Sequence, residues 1–303
     1  MNDKLKKTLK HYIDLELYSN GVADEIEEQL YELYKKLNES VTEYEYLKTK
    51  AEYNAICSLM DEYLEEFEDT LTERLEMEAD TVKEHERNFL STLYGAALTV
   101  GAVSLSKVLF MPFDGKDTVK DFSERTVKNI RKTYNNALRS GYMFGQKSSD
   151  VKEQANRQLK QITRGIRNGI NTAIPSFAKT TDRIIFLQNN LEVVWVATLD
   201  GHTCINCASM SGARFKSVSL APSVPVHALC RCILVPVNEL SEPVPEFEEF
   251  IESLPEEEQE EVLGANRFNL WKEYGIKLDK FLNDGRVIPL KKLDKDLLIK
   301  RSC

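Results

Sequence analysis

Four of the six cysteines fall in one short stretch: Cys204-Ile-Asn-Cys207, then, 22 residues on, Cys230-Arg-Cys232. His227 stands three residues ahead of the second pair. Two thiolates two residues apart grip one ion from a tight turn, and a second pair across a short hairpin completes a tetrahedron. Five candidates therefore compete for four places on a structural zinc: Cys204, Cys207, His227, Cys230 and Cys232. Alternation in an extended segment puts Cys230 and Cys232 on one face, so both can aim at the ion. The other arrangement uses His227 with Cys230, three apart on a turn. Redox or disulfide pairing competes with zinc, joining Cys204 to Cys207 or to one of the second pair. So does a cluster of buried thiols beside a hydrogen-bonded histidine, with no metal. A zinc deaminase fits poorly, because its His-x-Glu and the proline before its cysteine pair are both absent. Gly-x-Ser-x-Gly, phosphate-loop and His-Glu-x-x-His motifs are absent too. The chain is therefore expected not to be an enzyme and to have no catalytic residues. His11 and His85 sit among charged residues and read as solvated. Cys57 reads as a buried thiol and Cys303 as a terminal passenger.

Something must hold those cysteines. The 303 residues are 42% hydrophobic and 29% charged, which excludes a fully disordered chain and a polytopic membrane protein. Six cysteines in such a length are too few for a disulfide scaffold. The opening residues lead into no apolar run, so no secretory signal is expected. Charge is uneven: residues 1–90 carry 11 basic and 24 acidic side chains, net −13, and residues 116–183 carry 15 basic and 6 acidic, net +9. The ordinary reading is solvated helix faces. The functional one is a basic surface, carried by Lys120, Arg125, Lys128, Arg131, Lys132, Arg139, Arg164 and Arg167, that attracts nucleic acid or an acidic protein.

Between Gly21 and Gly95 no glycine or proline occurs, and apolar residues recur at helical spacing. One series is Val22, Ile26, Leu30, Leu33 and Leu37; a second is Val41, Tyr44, Leu47 and Ala51; a third is Leu64, Phe67, Leu71 and Leu75. Breaks are expected at Asn20-Gly21 and at Asn38-Glu39-Ser40, giving a helical hairpin or small bundle. The uncharged run Phe89–Ser106 is expected to be a buried helix, with a conditional membrane contact as the lesser reading. Beyond a turn at 111–115, helices are expected at about 117–147 and 150–172. Asp117 or Thr118 caps the first, and Ile174-Pro175 ends or kinks the second before another at 176–188. Strands follow at Leu191–Ala197 and Ile233–Val237, with Pro236 on an edge or at a strand end. An acidic linker then leads to a helix from Glu256 to Trp271. The fold class is mainly α: an elongated N-terminal helical region and central helices, a small α+β Cys/His-rich module, and a C-terminal helical tail. The organisation is 1–112, 113–190, 191–238 and 239–303.

The residues around the cysteines resemble a known signature. Trp195, then Asp200-Gly-His-Thr203-Cys204-Ile-Asn-Cys207, Gly212-Ala-Arg-Phe215 and Pro225-Val-His227-Ala-Leu-Cys230-Arg231-Cys232 look like that of the Mu F-like minor head proteins of tailed bacteriophages. That pattern runs from a Trp strand through Asp-x-Arg-Thr-Cys-x-x-Cys and a Gly-x-x-Phe turn to Pro-x-His-Pro-x-Cys-Arg-Cys. Phe250-Ile-Glu-Ser-Leu-Pro255, Gln259, Val262-Leu263-Gly264, Arg267, Leu270 and Gly275-Ile276 resemble the family's tail. Asp114-Gly115-Lys116 and Phe122-Ser123-Glu124-Arg125 resemble an upstream segment. His202 departs from the usual Arg, and Ala228 and Leu229 from the usual Pro and Asn; the lost proline loosens the turn that aims His227. The resemblance implies a virion protein made in the host cytoplasm and placed inside the head near the portal. Head assembly and genome delivery are the implied roles. The implied partners are the portal and other capsid proteins, with phage DNA as a further one and no small-molecule substrate. An enzymatic, toxin-related relative and a zinc-stapled nucleic-acid-binding protein are the alternatives.

Overall fold

A computed structural model describes residues 3–198, 203–237, 244, 246–283, 286–290 and 293. The chain divides into two compact units, one of residues 9–181 with 226–229, the other of residues 1–8, 182–225 and 230–303. The first is helical; the second holds a small sheet, the four clustered cysteines and the C-terminal tail.

In the helical unit, α1 (Asp3–Thr42), α2 (Lys50–Tyr94), α4 (Val119–Phe144) and α5 (Ser148–Gln188) are long, and α3 (Leu105–Leu109) is a single turn. Polar pairs identify the neighbours. Rising numbers on α1 meet falling numbers on α2: Glu25 pairs Arg74 at 2.7 Å and Lys36 approaches Glu66 at 3.8 Å. The same antiparallel sense joins α1 to α5, through Arg167–Glu27 at 2.6 Å and Asn38–Asn156 at 3.2 Å. It joins α2 to α4 through Asp61–Arg131 at 2.8 Å and the Cys57 thiol near Asn135 at 3.8 Å. Gly169 backs onto the Phe122 ring and Gly141 onto Val151, so α4 and α5 run antiparallel as well. The result is an up-down-up-down bundle. Its core is the expected first and third stripes, Val22 to Leu37 on α1 and Leu64 to Leu75 on α2, all buried. Each buried Leu or Ile contributes roughly 1.5–3 kcal/mol.

Several expected boundaries are corrected. α1 runs unbroken through Asn20-Gly21 and Asn38-Ser40. A mid-helix glycine costs about 1 kcal/mol, less than the burial of Val22, Ala23 and Ile26 beside it returns. Both asparagines serve the bundle: Asn20 Oδ1 accepts from Asn171 and Asn38 Oδ1 from Tyr134. The second stripe is not helical throughout, because the chain turns at 43–49 between α1 and α2. α5 continues through Pro175, where residues 172–182 are buried on every side; packing all round outweighs the lost N–H. The 89–106 run is not one helix. Gly95 takes φ +53 and closes α2, and a short 3₁₀ turn and an extended stretch precede α3. No helix among the described residues is long and apolar enough to cross a membrane. His85 is exposed as expected, but His11 is buried: it stacks on Phe89 at 3.8 Å and bonds Glu86 at 2.6 Å. Cys57 is half-buried rather than buried.

Thr118 caps α4 in a capping box with Asp121. Ahead of it, Asp114 Oδ1 accepts the backbone N–H groups of Lys116 and Asp117, and Gly115 takes φ +81 to make the turn.

In the second unit, β1 (Val193–Val196) is the centre of a three-stranded antiparallel sheet, between β2 (Arg214–Phe215) and β3 (Ile233–Pro236). Trp195 pairs Leu234, and Val193 pairs both Pro236 and Phe215. Pro236 is the last residue of an edge strand, where its missing N–H costs least. One helical turn, α6 (Ile205–Ala208), lies between β1 and β2. The tail was expected to hold one helix from Glu256; among its described residues it holds three α-helices, α7 (Phe247–Ser253), α8 (Glu256–Leu263) and α9 (Ala265–Lys272). Gly264, at φ +74, breaks the expected helix in two. A hairpin of β4 (Leu282–Asn283) and β5 (Arg286–Val287) follows. Phe247, Phe250, Ile251, Leu263, Leu270 and Phe281 form a core to which Ala208 of α6 also belongs. Acidic composition hid that core, because its apolar residues are scattered over short elements.

Candidate metal centre

The site is built where the turn after β1 meets the approach to β3. Cys204 is the N-cap residue of α6, and its carbonyl accepts the N–H groups of Cys207 and Ala208, both at 3.0 Å. That turn brings residues 204 and 207 to one side. Ile205 and Ala208 pack into the tail core, which anchors the turn from behind. Cys230 and Cys232 flank Arg231 just before β3 and are both buried, as alternation in an extended segment requires. The Thr198 hydroxyl donates to the Arg231 carbonyl at 3.2 Å, and Thr203 Oγ1 donates to Thr198 O. These bonds tie the end of β1 and the start of the first pair to the second pair.

Among the described residues, Cys and His side chains in 204–232 come close enough to hold a metal ion, and one such group is Cys207, Cys230 and Cys232, with sulfurs within 4.8 Å of one another. Cys207 Sγ lies 3.9 Å from Cys230 Sγ. A disulfide needs about 2.05 Å. Four sulfurs at about 2.3 Å from a zinc ion stand about 3.8 Å apart along each tetrahedral edge. The observed separation matches the edge. The Cys207 thiol is pushed well above its ordinary pKa, first by the hydrogen bond with Cys204, then by those with Cys230 and Cys232, then by burial. Without a cation beside it Cys207 therefore keeps its proton, and a divalent ion reverses that preference. The donor set is thiol-rich, with Cys207, Cys230 and Cys232 buried and Cys204 half-buried, which suits a closed structural site rather than an open catalytic one.

His227 stands on the 226–229 segment, which falls with the helical unit. Its Nδ1 lies 2.8 Å from the Ala228 carbonyl. A carbonyl only accepts, so in that contact Nδ1 carries the proton and donates it. Asp200, Gly201 and His202 of the signature, and Cys303, lie outside the described residues.

The basic residues divide into two groups. Arg131 pairs Asp61, Arg167 pairs Asp24 and Glu27, and Arg125 pairs Asp117. Lys120 approaches Glu124 at 3.8 Å. Lys128, Lys132, Arg139 and Arg164 are exposed. Part of the charge split in the sequence is therefore neutralised along the α1–α5 and α2–α4 seams, where an acidic helix lies beside a basic one.

No family model, curated protein or solved structure matches this chain.

Proposed function

We propose that this chain is a minor head protein of a tailed bacteriophage, acting in head assembly near the portal and in genome delivery at ejection, with no catalytic role. Its cysteine module holds one structural zinc through Cys204, Cys207, Cys230 and Cys232, with His227 as the competing donor. The convergence of Cys207, Cys230 and Cys232 carries the metal assignment. The resemblance carries the biological one, and its residues have structural work that accounts for their type. Phe250 and Leu270 are core. Gln259 donates from Nε2 to Leu254 O, Arg267 donates to Ile288 O, and Gly264 and Gly275 take positive φ. Phe122 fills the space over Gly169, and Arg125 lies 5.7 Å over its ring. Zinc supplies the closure that short strands and one helical turn lack: a module this small needs a staple.

Mass spectrometry of purified particles tests the assignment. The protein is expected in mature virions at a few copies per head, and absence from them contradicts it. The nucleic-acid reading rests on the exposed Lys128, Lys132, Arg139 and Arg164. A mobility-shift assay at low salt tests it, with binding expected to fall steeply as salt rises. A flat result retires DNA as a partner.

A further inference from the structure

We propose that the groove between α1 and α2 of one copy receives the outward face of α4 of a second copy, in a salt-sensitive, head-to-tail self-association. The groove has a volume of about 520 Å³ and is lined by Glu25, Glu28, Glu32 and Glu66 over Leu33, Tyr63 and Phe67. Carboxylates dominate its rim and apolar and aromatic groups its floor, the combination that takes a cationic amphipathic helix. Its carboxylates already take cations of the same chain: Glu25 pairs Arg74 at 2.7 Å, Glu32 approaches Lys35 at 3.7 Å, and Lys36 Nζ lies 3.8 Å from Glu66 and 5.4 Å over the Tyr63 ring. The Gln29 side-chain oxygen, also in the lining, is buried without a hydrogen-bond partner.

The complementary face is on the same chain. Lys128, Lys132 and Arg139 are spaced by four and seven residues, which puts them on one face of α4, and all three are exposed. Exposed Tyr142 and Met143 extend α4 beyond them with apolar surface. Two acids stand at the start of that face: Glu124, exposed and 3.8 Å from Lys120, and Asp121, engaged in the Thr118 cap. The basic face lies opposite the buried stripe of Val127, Ile130 and Tyr134, so it meets an acidic groove only on another molecule. Groove and face are different surfaces, which makes the contact heterologous and allows rings or open chains.

Sedimentation of the full chain across a concentration and salt series tests this. Association is expected at low ionic strength, weakening about tenfold or more toward physiological salt. Glu28→Lys with Glu32→Lys is expected to abolish it, and so is Lys128→Glu with Lys132→Glu. Mixing the two reversed proteins restores it, because each then offers the surface the other needs. The milder pair Glu28→Gln with Glu32→Gln, helical by circular dichroism, weakens it without reversing charge. A chain that stays monomeric at low salt, association indifferent to either reversal, or a mixture that fails to recover overturns the proposal.

Discussion

The bundle and the cysteine module reach order by different routes. The bundle buries repeated apolar residues along helices of up to 45 residues, with Leu64, Leu71 and Leu75 fully buried on α2 alone. Many equivalent contacts share its stability, so no single residue decides whether it folds. The module has strands of two and four residues and one helical turn. Its order depends on a few specific groups: the sulfurs, the Thr198–Arg231 bond, and the tail core behind Ala208. Diffuse burial tolerates change; a point closure does not.

The largest expected effect follows from that contrast. Chelation, or Cys207→Ser, is expected to unfold the 193–236 module while leaving the bundle helical. The loss amounts to several kcal/mol of local stability, as metal binding and folding are one equilibrium in such sites. Hydrogen exchange resolved along the chain checks it, and equal protection with and without metal breaks the comparison. Next in size, Leu71→Ala removes a fully buried side chain and is expected to cost about 2–5 kcal/mol by denaturant unfolding, with zinc content unchanged.

Two glycines sharpen the bundle side. A Cβ on Gly169 meets the buried Phe122 ring at 2.2 Å, so Gly169→Ala is expected to cost about 1–3 kcal/mol. A Cβ on Gly21 meets nothing within 4 Å. Gly21→Ala is therefore expected to stabilise the chain by about 0.5–1 kcal/mol. Thermal melts of the pair should move in opposite directions; movement in the same direction contradicts the packing described.

The smallest effect is electrostatic. Partial desolvation of the ring first and the neighbouring His11 charge second hold the His85 pKa below 6.5. The unfolded state then takes up its proton before the folded state does. Stability present above pH 6.5 is lost as pH falls toward the folded pKa. Melting temperature is expected to drop slightly more on acidification in the native chain than in His85→Gln, and identical slopes exclude the contribution.

The same contrast decides what was legible in the sequence. The stripes Val22–Leu37 and Leu64–Leu75 were legible because burial on one helix face imposes a period. The cysteine cluster was legible because four thiols crowded into 29 residues put ligand-type groups within reach of one another, and Cys207, Cys230 and Cys232 do converge. The breaks assigned to Gly21 and Asn38 and the helix end allowed at Pro175 do not occur, because local propensity there is overridden by packing from neighbouring helices. The adjacency of α1 to α5 was illegible, since Arg167–Glu27 joins residues 140 positions apart. The tail core was illegible for another reason: Phe247, Phe250 and Phe281 carry no common period and lie among glutamates.

The claim on which the module's account rests is one zinc ion held by clustered thiolates. Zinc X-ray absorption on the purified full-length protein tests it most directly, read together with metal stoichiometry. About one zinc per chain is expected, with sulfur neighbours at about 2.3 Å; four sulfurs assign the cysteines alone, and three with one nitrogen bring in His227. Metal-free protein with four titratable thiols and an intact module would contradict it.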